Sequence, residues 1–168
     1  MGISPCDEET ERQMYYLLID HLTTAGYEHY EISNWAKSGY RSCHNSNYWT
    51  GVPYIGLGAA AHSFDGQSRS WNAADIKQYI TAISMGHRPC QTEILTPTDR
   101  YNERVMLGLR TSDGLDISTL TPRDRHYCMK EAQPFLTDGM LRLTGNRLVI
   151  TRKGLFVSDM VMAALVNA

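Results

Sequence analysis

Thr96-Pro97-Thr98-Asp99-Arg100-Tyr101-Asn102-Glu103-Arg104-Val105-Met106-Leu107-Gly108-Leu109 is the stretch on which the fold turns. Threonine followed by proline is a helix start, because proline sits without cost in the first turn, where an N–H has no partner in any case. Tyr101, Val105 and Leu109 then recur at helical spacing and line one face. Thr121-Pro122-Arg123-Asp124 repeats the start signal for a second helix, expected to end near Gly139. Met140-Leu141-Arg142-Leu143 and Arg147-Leu148-Val149-Ile150 flank Thr144-Gly145-Asn146, the pattern of a hairpin. Thr151 is placed to cap a last helix reaching about Val166. Helix, helix, hairpin, helix is a winged-helix-like order.

Upstream the character changes, and the boundary is placed near residues 90–97, dividing the chain into 1–95 and 96–168. Residues 7–25 predict an amphipathic helix with Met14, Leu18, Leu22 and Ala25 at helical spacing and Gly26 as its C-terminal cap. Tyr27–Ser33 predicts a strand with polar groups along one side. Residues 34–53, rich in Asn, Gly and Ser, predict a loop, and Tyr54–Ala61 a second strand of small residues. A helix is expected near 75–85, with Ile76, Ile80 and Ile83 on one face and Gly86 closing it. Helix and strand in alternation place the chain in the α/β (α+β) class.

Bulk properties exclude several functions. Of the 168 residues 42% are hydrophobic and 20% charged, and the formal net charge is −2, an ordinary globular composition. No apolar run approaches the ~20 residues needed to span a bilayer. The start Met1-Gly2-Ile3-Ser4-Pro5-Cys6 has neither a secretory apolar region nor a myristoylation signal, so the expected location is cytoplasmic. Cys6, Cys43, Cys90 and Cys128 include no CxxC pair and read as free thiols rather than metal ligands. Arg123, Arg125, His126 and Lys130 sit on the helix that a DNA-binding winged helix would use. Asp124 and Glu131 interrupt that set, and a solvated helix face accounts for it better than a nucleic-acid surface.

Two segments carry possible chemistry. Cys43-His44-Asn45-Ser46-Asn47-Tyr48-Trp49 brings imidazole, thiolate, phenol and indole into seven residues. Such groups serve as axial ligands to haem iron and as a flat aromatic surface. The alternative is that Tyr48 and Trp49 anchor a loop whose backbone His44 and Asn45 satisfy. Gly56-Leu57-Gly58-Ala59-Ala60-Ala61-His62-Ser63 is the second. Glycines in a strand mark the close approach of a ligand or another backbone, and at the carboxyl end of a parallel strand His62-Ser63 would face the ligand. A strand packed beneath a helix is the alternative. Glu31, Ser33 and Asn34 either point at a ligand or cap the loop that follows. Arg69, Trp71 and Asn72 either clamp a carboxylate or fix a loop.

Taken in order, these residues resemble the HemN/HemW family of radical S-adenosylmethionine proteins. Tyr30–Lys37 looks like the family's YEISNxAK segment and His44–Trp49 matches HNxxYW, the motif that separates HemW proteins from the oxygen-independent coproporphyrinogen III oxidases. Gly56–Phe64 resembles GxGxxAHSF. Arg69–Asn72, Glu103–Arg110 and Gly139–Leu141 also fall in family order. The resemblance implies the end of a partial (β/α) barrel followed by a small helical domain. It implies haem binding and delivery to an acceptor protein, with oxidative decarboxylation of a porphyrinogen as the alternative. It assigns His44, Asn45, Tyr48 and Trp49, with Glu31 and Asn34, to haem or substrate, and Gly56, Gly58 and His62 to S-adenosylmethionine; His44 is a candidate ligand to haem iron. The family's CxxxCxxC, which holds a four-iron–four-sulfur cluster, does not occur in these residues. The resemblance therefore implies a C-terminal fragment that performs no radical step by itself. A piece of barrel leaves strand edges unpaired, so self-association is expected.

Overall fold

The computed structural model describes residues 6–167; residues 1–5, read above as free of an export or lipidation signal, lie outside them. Asp7 caps helix α1 (Glu8–Thr24), its carboxylate accepting the Thr10 N–H at 3.0 Å, and Gly26 leaves the helix at φ +80°. The inward face of α1 is Tyr15, Ile19 and Leu22; of the expected stripe only Leu22 lies on it, Met14, Leu18 and Ala25 being exposed. Tyr15 sets this rotation: its hydroxyl donates to the Ile32 carbonyl at 2.8 Å.

Strand β1 (Tyr27–Glu31) turns at Ile32-Ser33 and returns as β2 (Asn34–Lys37), antiparallel, with Tyr27 opposite Lys37. Residues 34–53 are thus not a loop throughout. Besides β2 they contain α2 (Cys43–Trp49), opened by Ser42, whose hydroxyl accepts the Asn45 N–H at 3.2 Å. Tertiary contacts of Tyr48 and Trp49 hold a turn of helix that Asn and Ser would not form alone.

The second expected strand, Tyr54–Ala61, is also corrected. Only Tyr54 bridges, to Phe64, and the chain then folds back through Gly58 (φ +104°) and Ala60 (φ +60°). Small residues here make a tight reversal rather than a strand. The strands are β3 (His62–Phe64) and β4 (Ser68–Asn72), followed by α3 (Ile76–Ser84) and β5 (Cys90–Ile94), in an antiparallel sheet ordered β3-β4-β5. A ligand at the carboxyl end of a parallel strand therefore has no counterpart at His62-Ser63. On α3 the expected isoleucine face exists but points to solvent, Ile76 being 66% exposed.

The remaining elements follow their local signals closely. Thr96 caps α4 (Pro97–Leu109) in a reciprocal box with Asp99, each accepting from the other's backbone N–H at 3.1 and 2.8 Å. After β6 (Leu115–Asp116) and a short 3-10 turn come α5 (Pro122–Thr137) and the hairpin β7 (Leu141–Thr144) and β8 (Arg147–Ile150), giving an antiparallel sheet ordered β6-β8-β7. The last helix is in fact two, α6 (Arg152–Leu155) and α7 (Ser158–Leu165). Thr151 does not cap it with its side chain; that hydroxyl donates to the Gly139 carbonyl at 2.6 Å.

The main core lies in this second part, where Tyr101, Val105 and Leu109 of α4 meet Cys128, Leu148, Val161 and Leu165. Backbone bonds join the first part to it: the Ile32 N–H donates to the Arg110 carbonyl (3.1 Å) and the Ser112 N–H to the Tyr30 carbonyl (3.0 Å).

Candidate functional site

One face of α4 fills the core; the adjoining face, with Arg100, Glu103, Arg104 and Leu107, looks into an open cleft of about 1060 Å³. The facing wall is aromatic. Tyr48 and Trp49 come from α2, Tyr54 from the chain just beyond it, and Phe64 from β3. These rings touch in series: His44 lies edge-on to Tyr48 (5.0 Å between centroids), Tyr48 to Tyr54 (4.7 Å), and Tyr54 lies tilted against Phe64 (6.3 Å). Aromatic pairs in edge-on geometry are mutually attractive and hold their rings in place.

Trp49 is fixed from below. The Arg110 guanidinium lies 5.0 Å from its ring centroid, and Arg110 Nε donates to Glu31 Oε1 at 2.8 Å. Glu31 is 2% exposed, and its other oxygen accepts the Ser33 N–H (3.0 Å) and the Asn34 side-chain amide. Glu31 and Asn34 thus cap the β1–β2 turn while anchoring the cation under Trp49. The Trp49 Nε1–H is buried without an acceptor among the described residues, a donor with unused capacity at the cleft wall.

The structure divides the residues singled out from sequence. Tyr48 and Trp49 line the cleft, and Glu31 with Asn34 supports it through Arg110. His44 is exposed on α2, one ring contact from the cleft, and the Asn45 N–H closes the Ser42 cap. Gly56, Gly58 and His62 are not in its lining. A Cβ on Gly56 would stand 2.0 Å from the His62 carbonyl oxygen, so this glycine admits its own backbone rather than a ligand, whereas Gly58 faces open space. Buried Asn72 fixes this segment, donating to the Gly58 carbonyl at 2.8 Å, and accepts in turn from Arg88 Nε at 2.8 Å. Exposed His62 packs against Trp71, 6.1 Å between centroids.

Sequence reasoning missed the cations. Besides Arg69, which had been singled out, Arg41, Arg100, Arg104 and Arg147 line the cleft. Arg69 joins its walls through an ion pair with Glu103 at 2.5 Å. Burial pushes the Glu103 carboxyl up, against the opposing pull of Arg69. The available signal was the four-residue spacing of Arg100 and Arg104, off the apolar face of the capped helix.

Among the described residues no group of three or more His, Cys, Asp or Glu side chains converges as a metal site, and Cys6, Cys43, Cys90 and Cys128 are separate free thiols. These residues do not fit an iron–sulfur cluster. No described helix is long and apolar enough to cross a membrane.

An antiparallel first part with an aromatic wall is joined to a helical second part that carries a three-stranded sheet. Residues 95–157 match the HemN C-terminal domain family. Heme chaperone HemW of Mycobacterium tuberculosis is 32% identical over 162 residues, covering 96% of this chain and 40% of that protein. Heme chaperone HemW of Bacillus subtilis is 37% identical over 109 residues, 64% of this chain and 29% of the relative. The mitochondrial radical S-adenosyl methionine domain-containing protein 1 of Mus musculus is 28% identical over 177 residues, covering 95% and 40%. The solved coproporphyrinogen III oxidase (HemN) of Escherichia coli superposes with a TM-score of 0.67 at 20% identity, over 90% of this chain and 40% of that one, a likeness of fold. The chain is HemW-like, and it spans at most about 40% of the length of these relatives.

Proposed function

We propose that this chain contributes a haem-binding surface to a HemW-like protein of haem metabolism that binds haem and passes it to an acceptor protein. The observation that carries this reading is the wall of Tyr48, Trp49, Tyr54 and Phe64, which offers a flat porphyrin an apolar, polarisable face beside a row of cations. Its first two rings belong to the segment matching HNxxYW, and the relatives named heme chaperone HemW support the choice of ligand. In this reading the ring lies against the aromatic wall and His44, at the outer end of the ring series, supplies a nitrogen to the iron. Haem is cargo here, not a resident cofactor. S-Adenosylmethionine is assigned to Gly58 and His62, Gly56 being closed by the His62 backbone. The cluster that goes with it in radical S-adenosylmethionine proteins requires ligands other than the described residues. The cytoplasm is the proposed location.

Titration of the protein with haem tests the assignment. The expected result is a saturable Soret band whose position shifts, or whose intensity falls, in His44→Ala. Binding and a spectrum unchanged in the variant would remove His44 as ligand.

A further inference from the structure

The acids of the cleft do not account for all its cations. Arg41 is held between Glu28 (3.3 Å) and Asp113 (3.2 Å), Arg147 lies 3.3 Å from Asp116, and Arg69 pairs with Glu103. Arg100 and Arg104 differ. Arg100 donates to the Leu95 carbonyl at 3.0 Å and Arg104 to the Thr119 carbonyl at 2.8 Å, and among the described residues neither is ion-paired. Asp99, adjacent to Arg100, is committed to the helix cap, where its carboxylate accepts from both the N–H and the hydroxyl of Thr96.

A guanidinium carries five N–H donors in a planar fork, so one carbonyl leaves each arginine with donors to spare. Four residues apart on a helix, the two side chains rise from the same face, their Cβ atoms about 6 Å apart. Both line the cleft whose other wall is aromatic. Two adjacent forks opposite an aromatic wall suit a ligand that is planar and apolar in its body and doubly anionic along one edge.

We propose that Arg100 and Arg104 form a carboxylate-binding pair that anchors the acidic edge of a tetrapyrrole laid against Tyr48, Trp49, Tyr54 and Phe64. The choice of ligand rests on the haem-binding reading; the pair adds a grip on the propionates that is independent of the metal. Metal-free protoporphyrin IX therefore binds as well, and His44 plays no part in holding it.

The test is fluorescence titration of the 168-residue protein with metal-free protoporphyrin IX and with its dimethyl ester. The free acid is expected to bind, to weaken about tenfold or more in Arg100→Gln/Arg104→Gln, and to be unaffected by His44→Ala. The ester is expected to bind wild type no better than it binds the double variant. Arg100→Lys/Arg104→Lys, which keeps the charge, is expected to retain part of the affinity. The pair is overturned if wild type binds no metal-free porphyrin, if the glutamine variant binds it as tightly as wild type, or if wild type takes ester and acid equally. The last comparison uses wild type alone and does not depend on how the variant folds. A His44-dependent Soret band obtained alongside an inert arginine pair would remove this proposal and leave the haem reading standing. Acid-selective porphyrin binding without that band would leave the pair standing and remove His44 as the iron ligand.

Discussion

Tyr15 shows how a side chain chosen for packing also determines which face of an element turns inward. Its hydroxyl is held by the Ile32 carbonyl, and burial, with the negative charge of Glu31 nearby, pushes its pKa up from 10.0 to about 12. The raised value favours the protonated phenol in the folded state. Its contribution to stability is therefore fully present below pH 10 and is lost as pH rises from there through about 12. An ultraviolet titration should show late-ionising tyrosine absorbance that falls in Tyr15→Phe, leaving the component of buried Tyr101, which burial also pushes up; a Tyr15→Phe curve identical to wild type would contradict the assignment. At this scale the sequence was partly legible. Glu31 and Asn34 stood out, with capping as one alternative, and capping is what their hydrogen bonds do. The role of Glu31 under Arg110 and Trp49 was not legible, because the 79-residue separation of that ion pair leaves no local trace.

At the scale of elements, the segments read correctly are those whose signals are local. Thr96-Pro97 and Thr121-Pro122 mark helix starts, and Thr144-Gly145-Asn146 marks the hairpin turn, each within a few residues of the structure it governs. The segments misread depend on partners. α2 forms from Asn- and Ser-rich sequence because its rings pack against Tyr54 and Arg110, and Tyr54–Ala61 reverses because Gly58 and Ala60 take positive φ. Gly56 marks this reversal most sharply, since its backbone lies on the His62 carbonyl with no room for a methyl. Gly56→Ala should therefore move one chain segment off the other and cost roughly 1–3 kcal/mol, the range for overpacking. Urea denaturation measures it; a variant as stable as wild type would show that the approach is looser than described.

Across the molecule, apolar burial is uneven. The core cluster draws all its members from Tyr101 to Leu165, whereas the first part leaves Ile55, Leu57, Ile80 and Ile94 exposed, Leu57 at 86%. Edge strand β5 is exposed along its whole length. Exposed apolar side chains beside an open strand edge favour association. Light scattering across a concentration series should show mass rising with concentration, and a constant monomer mass would contradict this. The central claim concerns the aromatic, arginine-lined cleft to which α2 and α4 both contribute. Amide hydrogen exchange with and without haem tests it most directly. Protection concentrated in residues 43–54 and 100–108 is predicted; binding that leaves both stretches unprotected, or protects only other surfaces, would contradict it.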